Sequence, residues 1–288
     1  MKKAYILYNP KSGNGTGENE GRKLENYDGR EVVFCDITKM ENYGEFFGNL
    51  NEEDIVVVAG GDGTVSRFAD NIANVDVKND IYYYATGSGN DFLKDVGYKK
   101  GEKPFPVNKY IEALPVMYVD SIETGFVNGV GGGLDAYACV EGNRMHAEGK
   151  KANYVMAALK GIFFDYEPIN VSVTVDGKEY DFKNAWFASV MKGRYFGGGI
   201  MLAPKQDRNT GKLSLVVVHT VSRIGILPIV PQAFSGKHVR YKKYVTVLEG
   251  YDISVTFDRP TAVQIDGETG HVVEGFSVVS KKKESVTK

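Results

Sequence analysis

Short apolar runs alternate with polar, glycine-rich breaks through the first third of the chain: AYILY (4–8), EVVFCDI (31–37), DIVVVAG (54–60) and DIYYYAT (80–86). Runs rich in Val, Ile and Tyr on both faces, bounded by turn residues, predict strands buried on two sides. Between them the pattern predicts helices over Asn19–Tyr27, Met40–Leu50 and Val65–Ala73. Strands alternating with helices define a doubly wound α/β domain, drawn here as residues 1–118.

From residue 119 to 288 the texture changes. NVSVTVDGKEYDF, KLSLVVVHTV, KKYVTVLEGYDISVTF and TAVQIDGE alternate at period two and carry turn signals such as Asp176-Gly177. This is the pattern of an antiparallel β-sandwich or barrel, with the last residues free to return to the first domain. One helix interrupts it, Lys151–Phe164, whose Val155, Met156, Leu159, Phe163 and Phe164 recur at helical spacing. Two readings of that stripe stand, a helix packed on the sheet and a helix facing lipid. The terminal SKKKESVTK reads as a solvated end.

Composition narrows the function. A chain of 288 residues with net charge −2 has material for two domains but no basic field for a polyanion, which argues against nucleic acid as partner. Cys35 and Cys139 have no partner at metal or redox spacing, so both read as small core residues of a cytoplasmic protein. The apolar run after MKKAY is too short for a signal segment, and no stretch approaches the roughly 20 apolar residues that span a bilayer. Contact with a membrane is therefore expected to be peripheral and transient.

The candidate chemistry lies where strands end. GGDGT (60–64) follows the third strand, where open α/β sheets bind ligands; the glycines allow backbone amides to approach phosphate, and a helix start adds favourable dipole charge. A carboxylate among phosphates repels them unless a cation lies between, so Asp62 reads as a holder of Mg²⁺ or its waters. A plain strand-to-helix turn capped by Asp62 or Thr64 is the structural alternative. NPKSGNGTG (9–17) and TGSGNDF (86–92) end two further strands, offering Asn9, Ser12, Ser88 and Asn90 as hydrogen-bonding groups and Asp91 as a second acid. Three such loops at one sheet edge point to a nucleotide. The histidines 146, 219, 238 and 271 lack ligand spacing for zinc, and neither Ser12 nor Ser66 has a histidine base beside it.

NPKSG, GGDGT, GSGNDF, NGVGGGLDA (128–136), KGRYFGGGIMLAP (192–204) and QIDGE (264–268) occur in an order that resembles the diacylglycerol kinase catalytic-domain family, which includes bacterial soluble diacylglycerol kinases and, more distantly, sphingosine and ceramide kinases. The resemblance implies an α/β ATP-binding domain, a C-terminal β-sandwich and a cleft between them where ATP meets a lipid alcohol. It implies an ATP site formed by Asn9, Pro10, Lys11, Ser12, Gly13, Thr38, Gly60, Gly61, Asp62, Gly63, Thr64, Val65, Ser66, Ser88 and Asn90. Asp62 and Asp91 would organise Mg²⁺ through water, Asp266 would act as base, and Glu268 would assist with metal or hydroxyl. The function implied is ATP-dependent phosphorylation of diacylglycerol or a similar lipid alcohol, with a homodimer left open. A kinase of a soluble acceptor, in the manner of NAD kinase, and a nucleotide-binding regulator without catalysis are the alternatives.

The chain also departs from the family pattern. An Asp-Asp-Gly that holds a structural Mg²⁺ in the family is replaced here by Asn209 and Thr210, leaving Asp207 as the available ligand. Lys192 stands where asparagine is frequent, and Lys94 replaces a frequent arginine, keeping charge but not bidentate geometry. Asp135 reads equally as a structural acid and as a substrate contact.

Overall fold

The structure, a computed structural model, describes residues 2–87, 90–149 and 153–280, leaving out the side chains of Asn14 and His146. It divides into two compact units, Met1–Leu114 and Pro115–Lys288. The first contains strands β1 (Lys3–Tyr8), β2 (Glu31–Asp36), β3 (Ile55–Gly60), β4 (Asp80–Ala85) and β5 (Phe105–Pro106) in the order β2-β1-β3-β4-β5. The first four are parallel, while β5 runs antiparallel to β4. Every residue of β3 is buried, as its unbroken IVVVAG requires of a central strand covered on both faces.

The helices of this unit are short: α1 (Ser12–Gly15), α2 (Gly17–Arg22), α3 (Tyr43–Gly48), α4 (Asp62–Asn71), α5 (Asp91–Val96) and α6 (Asn108–Ile111). The expected helix at 19–27 breaks after Arg22, and that at 40–50 starts only at Tyr43, where the Asn42 side chain accepts from the Glu45 amide as N-cap. α4 starts earlier than its apolar residues suggest, because Gly61, rather than Asp62 or Thr64, is its N-cap. The strand order reverses between β1 and β3, so the loops that leave these two strands diverge at a topological switch point.

In the second unit, β6 (Val116–Val119), β7 (Ile122–Gly125), β8 (Gly129–Gly133), α7 (Leu134–Ala147) and α8 (Tyr154–Lys160) precede β9 (Ile169–Val175) and β10 (Lys178–Met191). Then come β11 (Leu213–His219), α9 (Val230–Ala233), β12 (Val245–Gly250), β13 (Asp252–Ile265) and β14 (Glu268–Val279). β6, drawn with the first domain from sequence, pairs with β14 and so belongs to this sheet. The two long strands organise the unit. β9 pairs with the first half of β10 and of β13, and β8 with the second half of each, so four strands close a circuit. Register shifts at Phe182/Ala185 and Thr256/Thr261 let both long strands bend from one layer to the other. Val171, Val173, Ala188, Val190, Val255 and Val263 fill the interior between the layers.

Helix α7 has no counterpart in the sequence reading. Its sequence LDAYACVEGNRMHA has no single apolar stripe, so periodicity does not reveal it. α8 covers part of the expected 151–164 helix and passes into a π-helical turn, Gly161–Asp165; Lys151 lies outside the described residues, as do Ser88 and the tail from Lys281. Cys139 is buried as expected, but Cys35 is only half-buried.

Asp54 shows how the first unit is tied together. It is buried, with Oδ1 accepting from the Lys3 amide at 2.8 Å and Oδ2 from the Asn51 amide at 3.0 Å. Burial pushes its carboxyl up, but these amides and the Asn51 side chain outweigh it and hold it below the ordinary 3.8. A depressed folded pKa stabilises above the unfolded value and that stability is lost as pH falls. Asp54→Ala is expected to cost on the order of 3 kcal/mol by urea unfolding at neutral pH, two amides losing their acceptor. The difference from the parent chain is expected to shrink below about pH 4.

Candidate functional site

The loops after β1, β3 and β4 meet at the carboxyl edge of the first sheet. Asn9 Nδ2 donates to Thr64 Oγ1 at 2.9 Å, which bridges the switch point between β1 and β3. Ser12 Oγ lies 2.9 Å from the Asn9 carbonyl and 2.9 Å from Thr86 Oγ1, joining the β1 loop to the β4 loop. The Gly60 carbonyl accepts from the Thr86 and Gly87 amides and from the Tyr83 hydroxyl. The sequence expectation that the three loops converge is thus realised by direct hydrogen bonds.

Two of the glycines are required by close packing within their own loops. A Cβ on Gly17 would lie 1.9 Å from the Asn9 carbonyl oxygen, and one on Gly60 would lie 2.4 Å from the Thr64 side chain. Gly61 and Gly63 flank Asp62 at the start of α4, whose first-turn amides have no intrahelical acceptor. Asp62 is the first residue of α4, and its Oδ2 accepts from the Asp91 amide at 2.6 Å and the Phe92 amide at 3.2 Å. One carboxylate therefore stands in the first turn of α4 and caps the start of α5, favourable toward both dipoles. It also brings Asp91, itself buried, to the same place.

Pro10, Lys11 and Gly13 lie in the same β1 loop, with the Lys11 amide donating to Asn9 Oδ1. Val65 and Ser66 are buried in α4, and Asn90 precedes α5. Thr38 is at the end of the edge strand β2, where its amide and hydroxyl both donate to Asp36 Oδ1. Two residues that sequence reading did not single out take part. Thr86, buried, links the loops, and Lys100 Nζ donates to the Gly87 carbonyl at 2.8 Å. Thr86 stood inside a quoted motif; Lys100 carries no motif signal at all.

In the second unit the DGE segment is the tip of the β13–β14 hairpin. Ile265 pairs with Glu268, and Asp266 and Gly267 form a two-residue turn with φ of +48° and +88°. The Asp266 carboxylate is held from below: Oδ2 accepts from the Val127 amide at 2.7 Å, and Oδ1 from the Asn128 and Gly129 amides at 2.8 and 2.9 Å. On the other side of the same strand entry, buried Arg208 donates to the Val127 carbonyl and to Asn128 Oδ1. Asn143 of α7 reaches the Gly267 carbonyl and Thr269 Oγ1 at 3.5 and 3.4 Å, so α7 braces the tip.

Asp135 opens α7 beneath β8. Its Oδ2 accepts from Ser189 Oγ at 2.8 Å and Gln264 Nε2 at 3.3 Å, while Oδ1 is buried with no hydrogen-bond partner among the described residues. Gly131 is required above it, since a Cβ there would meet Asp135 Oδ2 at 2.2 Å. Burial lifts the Asp135 carboxyl above the ordinary value despite these hydrogen bonds.

An apolar cavity of about 110 Å³, open to solvent on one side, adjoins Asp135. Leu134, Ala138 and Cys139 of α7 and Val155 and Leu159 of α8 form one wall. Ile226, Ile229, Val230 and Phe234 form the facing wall, and His238 also contributes. His238 is buried, with Nε2 at 3.0 Å from the Leu202 carbonyl; burial lowers its pKa and favours the neutral ring. Burial, then the charges of Asp135 and Glu268, push the Cys139 thiol up to about 12, so it is an inert wall residue. Burial, then the charges of Cys139 and Glu268, raise the Tyr154 hydroxyl above its ordinary value.

The expected structural metal loop is built differently. Asp207 Oδ1 accepts from both the amide and the side chain of Asn209, at 2.9 Å each. The buried Lys192 sends its ammonium to the Thr210 carbonyl at 2.9 Å. No group of three His, Cys, Asp or Glu gathers among the described residues. With a lysine charge already in the loop and its acid turned to Asn209, these residues do not fit a hard-cation site.

A three-loop phosphate-type edge on a doubly wound sheet, joined in one chain to a β-sandwich carrying an apolar cavity, defines a two-domain kinase architecture. Residues 3–116 match the family model of the diacylglycerol kinase catalytic domain, and residues 128–279 match that of the YegS C-terminal NAD kinase beta sandwich-like domain. The chain belongs to this diacylglycerol kinase family. A diacylglycerol kinase of Bacillus subtilis (strain 168) is 23% identical over 286 residues, covering 96% of this chain and 92% of the relative. A diacylglycerol kinase of Mycobacterium tuberculosis is 26% identical over 200 residues, and the match spans 64% of that protein's length. The crystal structure of a diacylglycerol kinase from Bacillus anthracis str. Sterne superposes with a TM-score of 0.60 at 19% identity, covering 97% of this chain and 94% of that one, which shows the shared fold.

Two outcomes test the site's electrostatics. A raised folded pKa at Asp135 means that the stability from the neutral acid is present below 3.8 and is lost as pH rises through the folded value. Asp135→Asn keeps the shape without the charge, so its melting temperature is expected to gain on the parent as pH rises above about 4, by roughly 2–4 °C for each kcal/mol relieved. In the 204–213 loop, Mg²⁺ added without nucleotide is expected to leave the melting temperature unchanged, while Lys192→Met lowers it, since Thr210 then loses a buried charged donor. Differential scanning calorimetry reads both.

Proposed function

We propose that this chain transfers the γ-phosphoryl group of ATP to the hydroxyl of diacylglycerol or a similar lipid alcohol. The observation that carries the acceptor class is the cavity. Its walls are mostly aliphatic and aromatic, with Asp135 and His238 among its few polar residues, and it abuts the helix that braces the Asp266–Thr269 tip. An acyl chain gains about 0.8 kcal/mol per methylene buried there, whereas a soluble, polar acceptor gains nothing from such walls.

In this reading the phosphates lie against the amides at the start of α4, with Asn9, Ser12 and Thr86 fixing the loops around them and Lys100 adding a cation beside Gly87. Asp62 and Asp91 suit Mg²⁺ held together with phosphate oxygens, since the ion takes one or two carboxylates and keeps its other positions for phosphate and water. Mg²⁺ bound there would supply charge neutralisation over the transferring group. The acceptor oxygen forms its bond to the γ-phosphorus as the bond to the bridging oxygen breaks and ADP leaves. Asp266 takes the hydroxyl proton, and the three amides keep its carboxylate oriented beforehand, so little reorganisation accompanies the step. Glu268 orients the hydroxyl.

The discriminating experiment is transfer from γ-labelled ATP to diacylglycerol, monoacylglycerol, sphingoid bases, phosphatidylglycerol and NAD, with and without Mg²⁺. Label is expected in a glycerolipid and only with Mg²⁺; label in NAD alone, or in nothing, overturns the reading. Asp266→Asn is expected to lower kcat about 10²–10⁴-fold with ATP affinity within a few fold. Because one amide loses its acceptor oxygen, it should lower the melting temperature as well. Glu268→Gln should lower kcat without that thermal cost. Ala138→Phe, which fills the cavity, is expected to raise KM for long-chain acceptors and leave short-chain ones unchanged.

A further inference from the structure

The cavity opens through its own exposed wall residues, Tyr154 and Phe234, onto a surface that is unusually apolar for a folded protein. Phe164 is 80% exposed, Ile224 78% and Met156 56%, with Phe163 exposed beside Phe164. The two segments that carry them are neighbours: the Arg223 guanidinium donates to the Ile162 carbonyl, and Ile162, Ile226 and Ile229 share one core cluster. The π-helical turn at Gly161–Asp165 accounts for the arrangement. Within it, Ile162 stays inside while Phe163 and Phe164 turn outward, which splits the apolar stripe that the sequence presents as one face.

The 154–164 side carries a balanced pair, Lys160 with Asp165, whereas the segment facing it carries charge of one sign. Residues 208–248 contain seven Lys and Arg and no Asp or Glu, in a chain whose net charge is −2. Within 222–244 these are Arg223, Lys237, Arg240, Lys242 and Lys243, all but Arg223 exposed. Arg240 and Lys243 lie over the rings of Tyr241 and Tyr244 at 5.1 and 5.4 Å, an aromatic and basic pairing suited to a headgroup layer.

We infer that residues 154–164 and 222–244 form a docking face for an anionic lipid bilayer, with Met156, Phe163, Phe164 and Ile224 entering the interface and the basic residues of 237–243 meeting lipid phosphate. This rests on the lipid-acceptor reading above and deepens it, because the acceptor then passes from the bilayer into the cavity through a mouth that faces its source. Two lipid signals act together, apolar insertion and a basic patch, as reversible peripheral attachment requires. A second copy of this chain fits less well, since two such faces would bring five like charges against five.

The test uses the full chain and vesicles of phosphatidylcholine with or without phosphatidylglycerol. Sedimentation with the anionic vesicles is expected, weakening with salt. Phe164→Glu combined with Ile224→Glu, and separately Lys242→Glu combined with Lys243→Glu, are each expected to reduce vesicle binding at least tenfold, two charges at roughly fivefold each being enough for the second pair. Both are expected to phosphorylate a dispersed short-chain acceptor as the parent does and to lose turnover on acceptor embedded in vesicles. Equal vesicle binding by parent and variants overturns the proposal. So does sedimentation velocity showing a parent dimer that the variants dissolve while vesicle binding persists. Vesicle binding that the variants abolish, in a chain that phosphorylates no lipid, leaves the docking face standing and removes only the acceptor assignment.

Discussion

Carboxylates that accept main-chain amides from distant segments hold both units together. Asp54 ties the start of β1 to the turn before β3, Asp62 ties α4 to α5, and Asp266 ties the β13–β14 hairpin to the entry of β8. Asp176 does the same for the start of β13, its Oδ1 accepting from the Tyr251 and Asp252 amides at 2.8 and 2.9 Å. Each satisfies amides that a strand or helix end leaves over, and each does so with a charge, which makes the bond stronger than a neutral one. Two of the four are also residues that the chemistry would use. A site carboxylate anchored in this way is oriented before substrate arrives, but its replacement disturbs the backbone, so activity loss and stability loss must be read separately.

The sequence made the parallel strands of the first unit legible because their burial on both faces leaves long β-branched runs, and the strand-end loops because glycine clusters there have few other uses. What it concealed has physical causes. α7 is surrounded by β8, the β13–β14 tip and α8, so apolar residues point in several directions and no amphipathic period survives. α4 takes in Asp62, Gly63 and Thr64 because Gly61 ends the extended backbone, and a helix start in a glycine cluster leaves no apolar mark. The DGE segment carried two meanings, hairpin turn and catalytic motif, and the geometry shows the turn without removing the chemistry. Lys100 reaches the glycine loop from 13 residues beyond Gly87, a contact that only the folded path creates.

The 204–213 loop shows how a departure from family pattern can be self-consistent. Asn209 and Thr210 stand where the resemblance implies two acids, and the buried Lys192 ammonium reaches the Thr210 carbonyl, so the loop carries a cation of its own. An acid pair left with Lys192 alone would carry excess negative charge, and Lys192 added to an intact metal site would repel the ion. Arg208 extends the same logic. It comes from this loop, is buried, and holds Val127 and Asn128 from the side opposite Asp266. The loop thus supports the segment whose amides orient the proposed base.

Asp135 and the cavity pose the sharper energetic question of why a carboxylate is kept beside an apolar chamber. Its Oδ2 is satisfied by Ser189 and Gln264, so an asparagine of the same shape would serve the fold with no charge to bury. Oδ1 is the difference, buried and without a well-formed hydrogen bond among the described residues, although the Ala136 amide lies near enough to favour the charged carboxyl. Retaining a destabilising group is reasonable where the group meets a ligand, because an arriving hydroxyl would supply the missing donor and recover the cost at the moment of binding.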